Sequence, residues 1–453
     1  MSSTPLTKTL SPVTEALLAA ARAAGAESAD AIAVEARSVS IDVRKGGLEQ
    51  AERAEGLDIG LRVFVGQRQA CISSSDTRPE TLQAMASRAV AMAREAPVDP
   101  YAGLAGADQL ATMRAADRLE LFDPSPEPDP AALQEDARRA EAAALAVEGV
   151  TQVQSASAAY GQQAIWLAAS NGFAGGYARS SRHISCVAIS GEGTGMERDW
   201  CGEGRIFQAD LPSPEYVGNL AAERTIARSG ARRPKTGTYP VLYDERIASS
   251  LIGHLLGAIN GSAISRGSSW LRDAMGTAVL PDGMSLVEDP LRTRRSGSRP
   301  FDAEGLASRV KNLVQDGVLQ SWVLDLASAR KLGLESTGNA VRGTSAPPSP
   351  STSNVILTQG SNTREDLMRD MGTGLLVTSL IGSTINPNTG DYSRGASGFW
   401  VENGEIAYAV NECTIAGNLR DMLRRIIPAN DAQDHLSSVV PSLLVEGMML
   451  AGE

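Results

Sequence analysis

Residues 386–411 read NPNTGDYSRGASGFWVENGEIAYAVN, and one dipeptide near their end decides the local architecture. Phe399–Glu402 and Glu405–Val410 are β-prone runs on either side of Asn403-Gly404. A type I′ turn needs positive φ at both central residues, which Asn and Gly tolerate, so the pattern is a two-residue β-hairpin. Ahead of it, Asn386-Pro387, Thr389-Gly390 and Gly395 punctuate a polar segment, expected to be irregular backbone feeding the first strand.

Outward from the hairpin, the C-terminal half reads as a helix at about 245–260 followed by mostly short strands with Gly-rich connections. The loop Arg342–Asn354, with Pro347, Pro348 and Pro350, is expected to be extended and stiff, either a surface linker or a segment that touches a peptide or partner. SGARRPKTGT, residues 229–238, is polar and carries Gly, Pro and basic residues, so it marks a boundary between domains at 1–230 and 238–453. The N-terminal half is written twice. A helix at about 12–24 precedes strands at about 30–44, 47–55, 57–65 and 68–74 and a helix at about 79–94. The same order recurs as a helix at about 130–147, strands at about 150–160, 163–169, 173–190 and 193–207, and a helix at about 214–229. Gly66 and Gly161 are read as turn residues between strands. The expected fold class is α+β: an N-terminal α/β domain with an antiparallel sheet, flanking helices and internal duplication, then a mostly antiparallel C-terminal β domain.

Composition excludes several function classes. The 453 residues carry 53 Asp and Glu against 42 Lys and Arg, a net charge of −11, with a pI near 5.0. A phosphate-binding surface is built from clustered cations, so direct nucleic-acid binding is not expected. Arg292–Arg299 (RTRRSGSR) is a basic run, read as a solvated loop with a docking surface for an acidic partner as the alternative. No apolar run reaches the about 18 residues of a membrane span. Leu17–Ala21 is interrupted by Glu15 and Arg22 and preceded only by Lys8 as positive charge, which argues against a signal peptide. An amphipathic helix starting after Ser11-Pro12 accounts for the same residues. The expected compartment is cytoplasmic.

Chemical motifs are few. Cys71, Cys186, Cys201 and Cys413 lack CxxC spacing and are read as reduced, partly buried thiols. There is no GxxxxGK[ST] loop, and Gly191–Gly195 reads as a turn between strands. Carboxylate pairs such as Asp325 with Glu335, or Glu402 with Glu405, read as solvated faces. A catalytic zinc needs three converging ligands and an open position for water. The three histidines, His183, His254 and His435, are far apart, and none has a second His or a Cys at short spacing. His254 lies within LIGHLLGAI, apolar on almost every side, and is expected to be a neutral, hydrogen-bonded core residue.

The hairpin string, SLIGHLLGAINGSAISRGSSWL from Ser250, APPSPSTSNVIL from Ala346 and PSLLVEGMMLAG from Pro441 occur in one order. Together they resemble the PmbA (TldE) branch of the TldD/PmbA family, known as modulators of DNA gyrase and as microcin-processing peptidases. The resemblance implies a zinc metallopeptidase family, with a His-Glu-x-x-x-His motif and a C-terminal Cys in the TldD branch. Laid ungapped on that motif, Ile252 and Gly253 fall where the His-Glu pair belongs and Gly257 where the second His belongs. His254 matches no ligand position, and PSLLVEGMML has no thiol.

The resemblance therefore implies a noncatalytic subunit of a TldD–TldE-type metalloprotease that acts on unfolded peptides. No catalytic, cofactor or metal residue is assigned to this chain, and zinc is expected in a TldD-type partner. A homodimer is expected when the chain is alone. Asp391, Tyr392, Ser393 and Arg394, polar residues on expected irregular backbone, are the candidates for lining a chamber or touching the partner. An independent peptidase with an unrecognised site and a noncatalytic homodimeric scaffold are the alternatives.

Overall fold

The computed structural model describes residues 7 and 9–453. Lys8, the cation ahead of the first helix, lies outside them. Six strands, β1 (Ser28–Arg44), β2 (Gly47–Val65), β3 (Arg68–Ser74), β4 (Val150–Ala169), β5 (Ala174–Ser190) and β6 (Glu197–Arg205), make one antiparallel sheet in the order β3-β2-β1-β4-β5-β6. Helices α1 (Ser11–Ala23) and α2 (Pro79–Glu95) bracket the first three strands in sequence, and α3 (Pro130–Leu145) and α4 (Pro214–Ala227) bracket the next three. The helix–three strands–helix unit thus occurs twice, joined where β1 pairs with β4.

Strand alternation sets which face each helix covers. Ala29, Ala31 and Ala33 of β1 and Ile59, Leu61 and Val63 of β2 bury against Leu17 of α1 and Leu82 and Ala89 of α2. Ala156, Ile184, Cys186 and Cys201 pack likewise on Ala140 of α3 and Val217 of α4. Each fully buried Leu, Ile or Val here contributes about 1.5–3 kcal/mol relative to exposure.

Two expected strand breaks do not exist. β2 and β4 each run without interruption, and Gly161 sits inside β4, opposite Ser38 and Ser181. A Cβ there would stand 2.9 Å from Ser181 Oγ, so this glycine serves close packing rather than a turn. Gly66 does lie in the β2–β3 turn. The strand expected from 193 starts at Glu197, because Gly193–Gly195 form a 3-10 turn.

In the C-terminal half, β7 (Gly237–Tyr243), β8 (Gly374–Ile385), β9 (Asp391–Glu402), β10 (Glu405–Asn418) and β11 (Leu443–Ala451) are ordered β10-β9-β8-β7-β11. β10 also pairs with β11 through Ile415 and Leu450, closing the sheet on itself. The β7–β8 pair is parallel and the other pairs among these strands are antiparallel. Asn403 and Gly404 have φ of 52° and 81°, as the hairpin requires. A smaller sheet, with Leu286–Glu288 and Val355–Leu357 at its centre, completes an α+β fold. Tyr243, Leu251, Leu255, Leu286, Leu357, Leu375 and Val445 share one core. Among the described residues no helix is long and apolar enough to cross a membrane.

Polar clamps join the halves. The buried Arg342 side chain pairs with Asp30 of β1, which also holds Arg62 of β2. The run Arg292–Arg299 belongs to this seam and is not the solvated loop expected. Arg294 Nε donates to Glu120 Oε2 at 2.6 Å and Arg179 Nη1 donates to the Ser296 carbonyl at 2.8 Å across the halves, while Arg292 and Arg295 reach Asp434 within the C-terminal half and Ser298 is fully buried. The loop after Arg342 is anchored too: the Thr344 backbone lies over Gly60, and Asn260 Nδ2 donates to the Pro350 carbonyl at 2.7 Å.

Candidate functional site

Helix α5 (Glu245–Ala258) begins at Asp244, whose carboxylate accepts from the Arg246 N–H and also binds Arg364 at 2.9 Å. Ala248, Leu251, Ile252, Leu255 and Ala258 form its buried stripe at helical spacing. Gly253 and Gly257, one turn apart, are exposed, and a Cβ on either would meet nothing within 4 Å. The helix is therefore open on one side, not enclosed as its apolar sequence suggested.

His254 borders that open side. It is half-buried, and its ring meets the Tyr392 ring edge-on, with centroids 5.8 Å apart. Burial first, and then the Arg394 guanidinium, push its pKa below the ordinary histidine value, which favours the neutral ring. Its Nε2 is buried and has no hydrogen-bond partner among the described residues, which corrects the expectation of a satisfied core histidine. Ser250 Oγ, one turn earlier on the same helix, and Thr378 Oγ1 of β8 are likewise buried and unpartnered.

The four residues expected on irregular backbone instead open strand β9. The irregular stretch is confined to the turn ahead of them, where the Gly390 N–H donates to the Asn386 carbonyl at 2.8 Å. Tyr392 pairs with Ile385 of β8 and Gly417 of β10, and Ser393 with Thr384 and Ala416, so neighbouring strands fix the segment. Tyr392 is only 2% exposed and accepts a hydrogen bond from the Tyr243 hydroxyl at 3.3 Å. It is a core residue first. Arg394, on the same strand face, donates from Nε to the Gly382 carbonyl at 2.7 Å. Asp391 is exposed and accepts from the Thr389 hydroxyl and from Asn418 Nδ2. These hydrogen bonds hold its carboxyl below the usual carboxylate range.

The donors at this site do not fit a zinc ion. Ile252 points into the core, Gly253 and Gly257 have no side chain, and His254 stands alone. Among the described residues no three His, Cys, Asp or Glu side chains come together as a metal-holding group. Cys413, the nearest thiol in sequence to the C-terminus, is buried in β10, donates to the Ala396 carbonyl, and is pushed up to about 11 by burial. An imidazole that favours its neutral form, beside a guanidinium and two tyrosine hydroxyls, offers groups that can bind and orient a polar ligand. Sequence reasoning missed Ser250 and Thr378, because nothing local marks a hydroxyl as one that folding will leave unpartnered, and it missed Tyr243, whose hydroxyl meets Tyr392 only across the sheet.

A fold of this kind, a duplicated antiparallel sheet clamped to a closed β unit that carries a one-sided helix, has known relatives. Three models of one family match in order: PmbA/TldA metallopeptidase domain 1 over 29–93, central domain over 123–229 and C-terminal domain over 236–452. A protein of Escherichia coli O157:H7 named metalloprotease PmbA is 36% identical over 439 residues, covering 96% of this chain and 94% of that one. The crystal structure of a candidate modulator of DNA gyrase from Bacteroides thetaiotaomicron superposes with a TM-score of 0.90 at 25% identity, covering 98% of this chain and 99% of that one. TldE from Thermococcus kodakarensis shares the fold, with a TM-score of 0.84 at 19% identity over 97% of this chain and 100% of that one. The chain belongs to the PmbA/TldD metallopeptidase family.

Proposed function

We propose that this protein is the noncatalytic, TldE-like subunit of a two-chain metalloprotease acting on unfolded peptides. The zinc then resides in a TldD-type partner, and the open face of α5 with Arg394 borders the shared chamber. The observation that carries this reading is the state of α5. At the positions where the family resemblance puts metal-binding and catalytic residues, one side chain is buried in the core and two are absent, while the fold around them is intact. A helix that kept its packing but lost its chemistry suits a binding or assembly role. Asp391, Tyr392, Ser393 and Arg394 contribute by shape and charge rather than by reaction, and Ile381, 72% exposed beside this segment, offers an apolar contact to the partner. Alone, the chain forms a homodimer in this account, and it acts in the cytoplasm.

Metal analysis of the isolated, dialysed protein tests the zinc assignment. The expected content is far below one zinc per chain, unchanged in His254→Ala. A content near one per chain that is lost in His254→Ala contradicts the proposal and favours an independent peptidase.

A further inference from the structure

Between the two halves lies a cavity of about 510 Å3 that belongs to neither alone. Its volume falls in the range of small-ligand sites. Arg62 of β2 and Gln69 of β3 line one side. Glu304, Asp325 and the ends of two short helices, α6 (Gly261–Arg266) and α7 (Leu326–Leu332), line the other.

The charges on these walls are unequally occupied. Asp325, expected on a solvated face, is buried as the N-cap of α7, where the Ser328 N–H and hydroxyl hold its carboxylate. Asp99 accepts from the Tyr101 N–H at 3.0 Å. Arg62 donates Nε and Nη2 to Asp30, but Asp30 also carries Arg342, so two guanidinium groups share one carboxylate beneath the cavity. Nη1 of Arg62 has no hydrogen-bond partner among the described residues. Glu304 Oε2 accepts from the Leu326 N–H at 2.8 Å, and its other oxygen is unpartnered in the same sense. Burial, and then neighbouring Asp302, push the Glu304 carboxyl up to about 8, which favours its protonated, donor form at neutral pH. At the mouth stand Arg266 and Lys331, exposed and in no ion pair among the described residues.

Asp325 and Asp99 are held by neighbouring donors, whereas Arg266 and Lys331 have no carboxylate partner among the described residues, and this imbalance favours an anion. One free guanidinium nitrogen beside a protonated carboxyl offers two donors, the number that two carboxylate oxygens take. Inorganic phosphate, with four oxygens and up to two charges at neutral pH, asks for more donors than this inner pair supplies.

We propose that this cavity binds a small molecule with a free carboxylate, up to the size of a short peptide, with Arg62 and Glu304 meeting the carboxylate and Arg266 and Lys331 guarding the mouth. The proposal is independent of the chain's role toward a partner subunit.

Calorimetric titration of the isolated full-length chain with triglycine, triglycine amide and inorganic phosphate tests it. Triglycine is expected to bind saturably at one site, and the amide and phosphate about tenfold more weakly or not at all. The double variant Arg266→Gln/Lys331→Gln changes two exposed side chains and should melt like wild type, yet bind triglycine about tenfold more weakly. Absence of saturable triglycine binding, equal binding of the amide or of phosphate, or undiminished binding by the double variant would each overturn the proposal.

Discussion

Burial and the neighbouring Asp302 raise the Glu304 carboxyl above its unfolded value, and that makes its contribution to stability depend on pH. In an unfolded chain a glutamate loses its proton near about 4.3, whereas here the loss waits until about 8. Between those values the folded state binds more protons than the unfolded one, so stability falls as pH rises. The stabilisation from this group is complete below the unfolded value and is lost as pH passes through about 8. Glu304→Gln keeps an acceptor for the Leu326 N–H and removes the titration. Its melting temperature relative to wild type should therefore climb between pH 6 and pH 9, and a constant difference across that range would contradict the assignment. Nothing in the sequence announced this residue. Glu304, Asp302, Arg62 and Asp30 are brought together by the packing of one half on the other, and no spacing along the chain encodes such a meeting. His254 was visible as a solitary histidine, but its unpartnered nitrogen became apparent only once Tyr392 and Arg394 stood beside it.

At the scale of elements, the hairpin was legible because a type I′ turn makes a local demand that two adjacent residues meet. Its start was not. Asn386–Gly390 signalled irregular backbone correctly, but where the irregularity ends is set by the strands on either side of β9, and pairing reclaims Asp391–Arg394. β4 was cut in two by Gly161 for a related reason: a glycine in a strand marks either a turn or a close approach, and only the neighbour Ser181 decides which. Two glycines separate these roles by experiment. At Gly404 φ is 81°, and an added Cβ would lie 2.8 Å from Arg369 Cα. Gly404→Ala should cost about 1–3 kcal/mol of stability. Gly253, inside α5 with open space around it, should do the opposite, and Gly253→Ala should add about 0.5–1 kcal/mol through helix propensity. Equilibrium denaturation of the two variants checks both signs. A destabilising Gly253→Ala would mean that the outer face of α5 is not open in the folded protein.

For the whole molecule, the repeated helix–strand–helix order and the α+β class could be read from periodicity, because each unit buries its own face. The clamping of the two halves could not. Arg292–Arg299 looked solvated because the partners of Arg294 across the halves, Glu120 and Asp210, and the partner of Arg292 and Arg295 within the C-terminal half, Asp434, lie far away along the chain. Under the proposed function, a frame that carries Ile252, Gly253 and Gly257 at the positions of the family motif shapes a site held by another chain. The most direct measurement of that claim is turnover of an unfolded peptide by this chain alone, by a TldD-type subunit from the same cell alone, and by their mixture, each supplied with zinc and repeated with Arg394→Ala. The account expects no turnover by this chain alone, turnover by the mixture well above that of the partner alone, and reduced turnover with Arg394→Ala while its melting and its pairing with the partner are unchanged. Zinc-dependent turnover by this chain alone, or a mixture no faster than the partner, would contradict it.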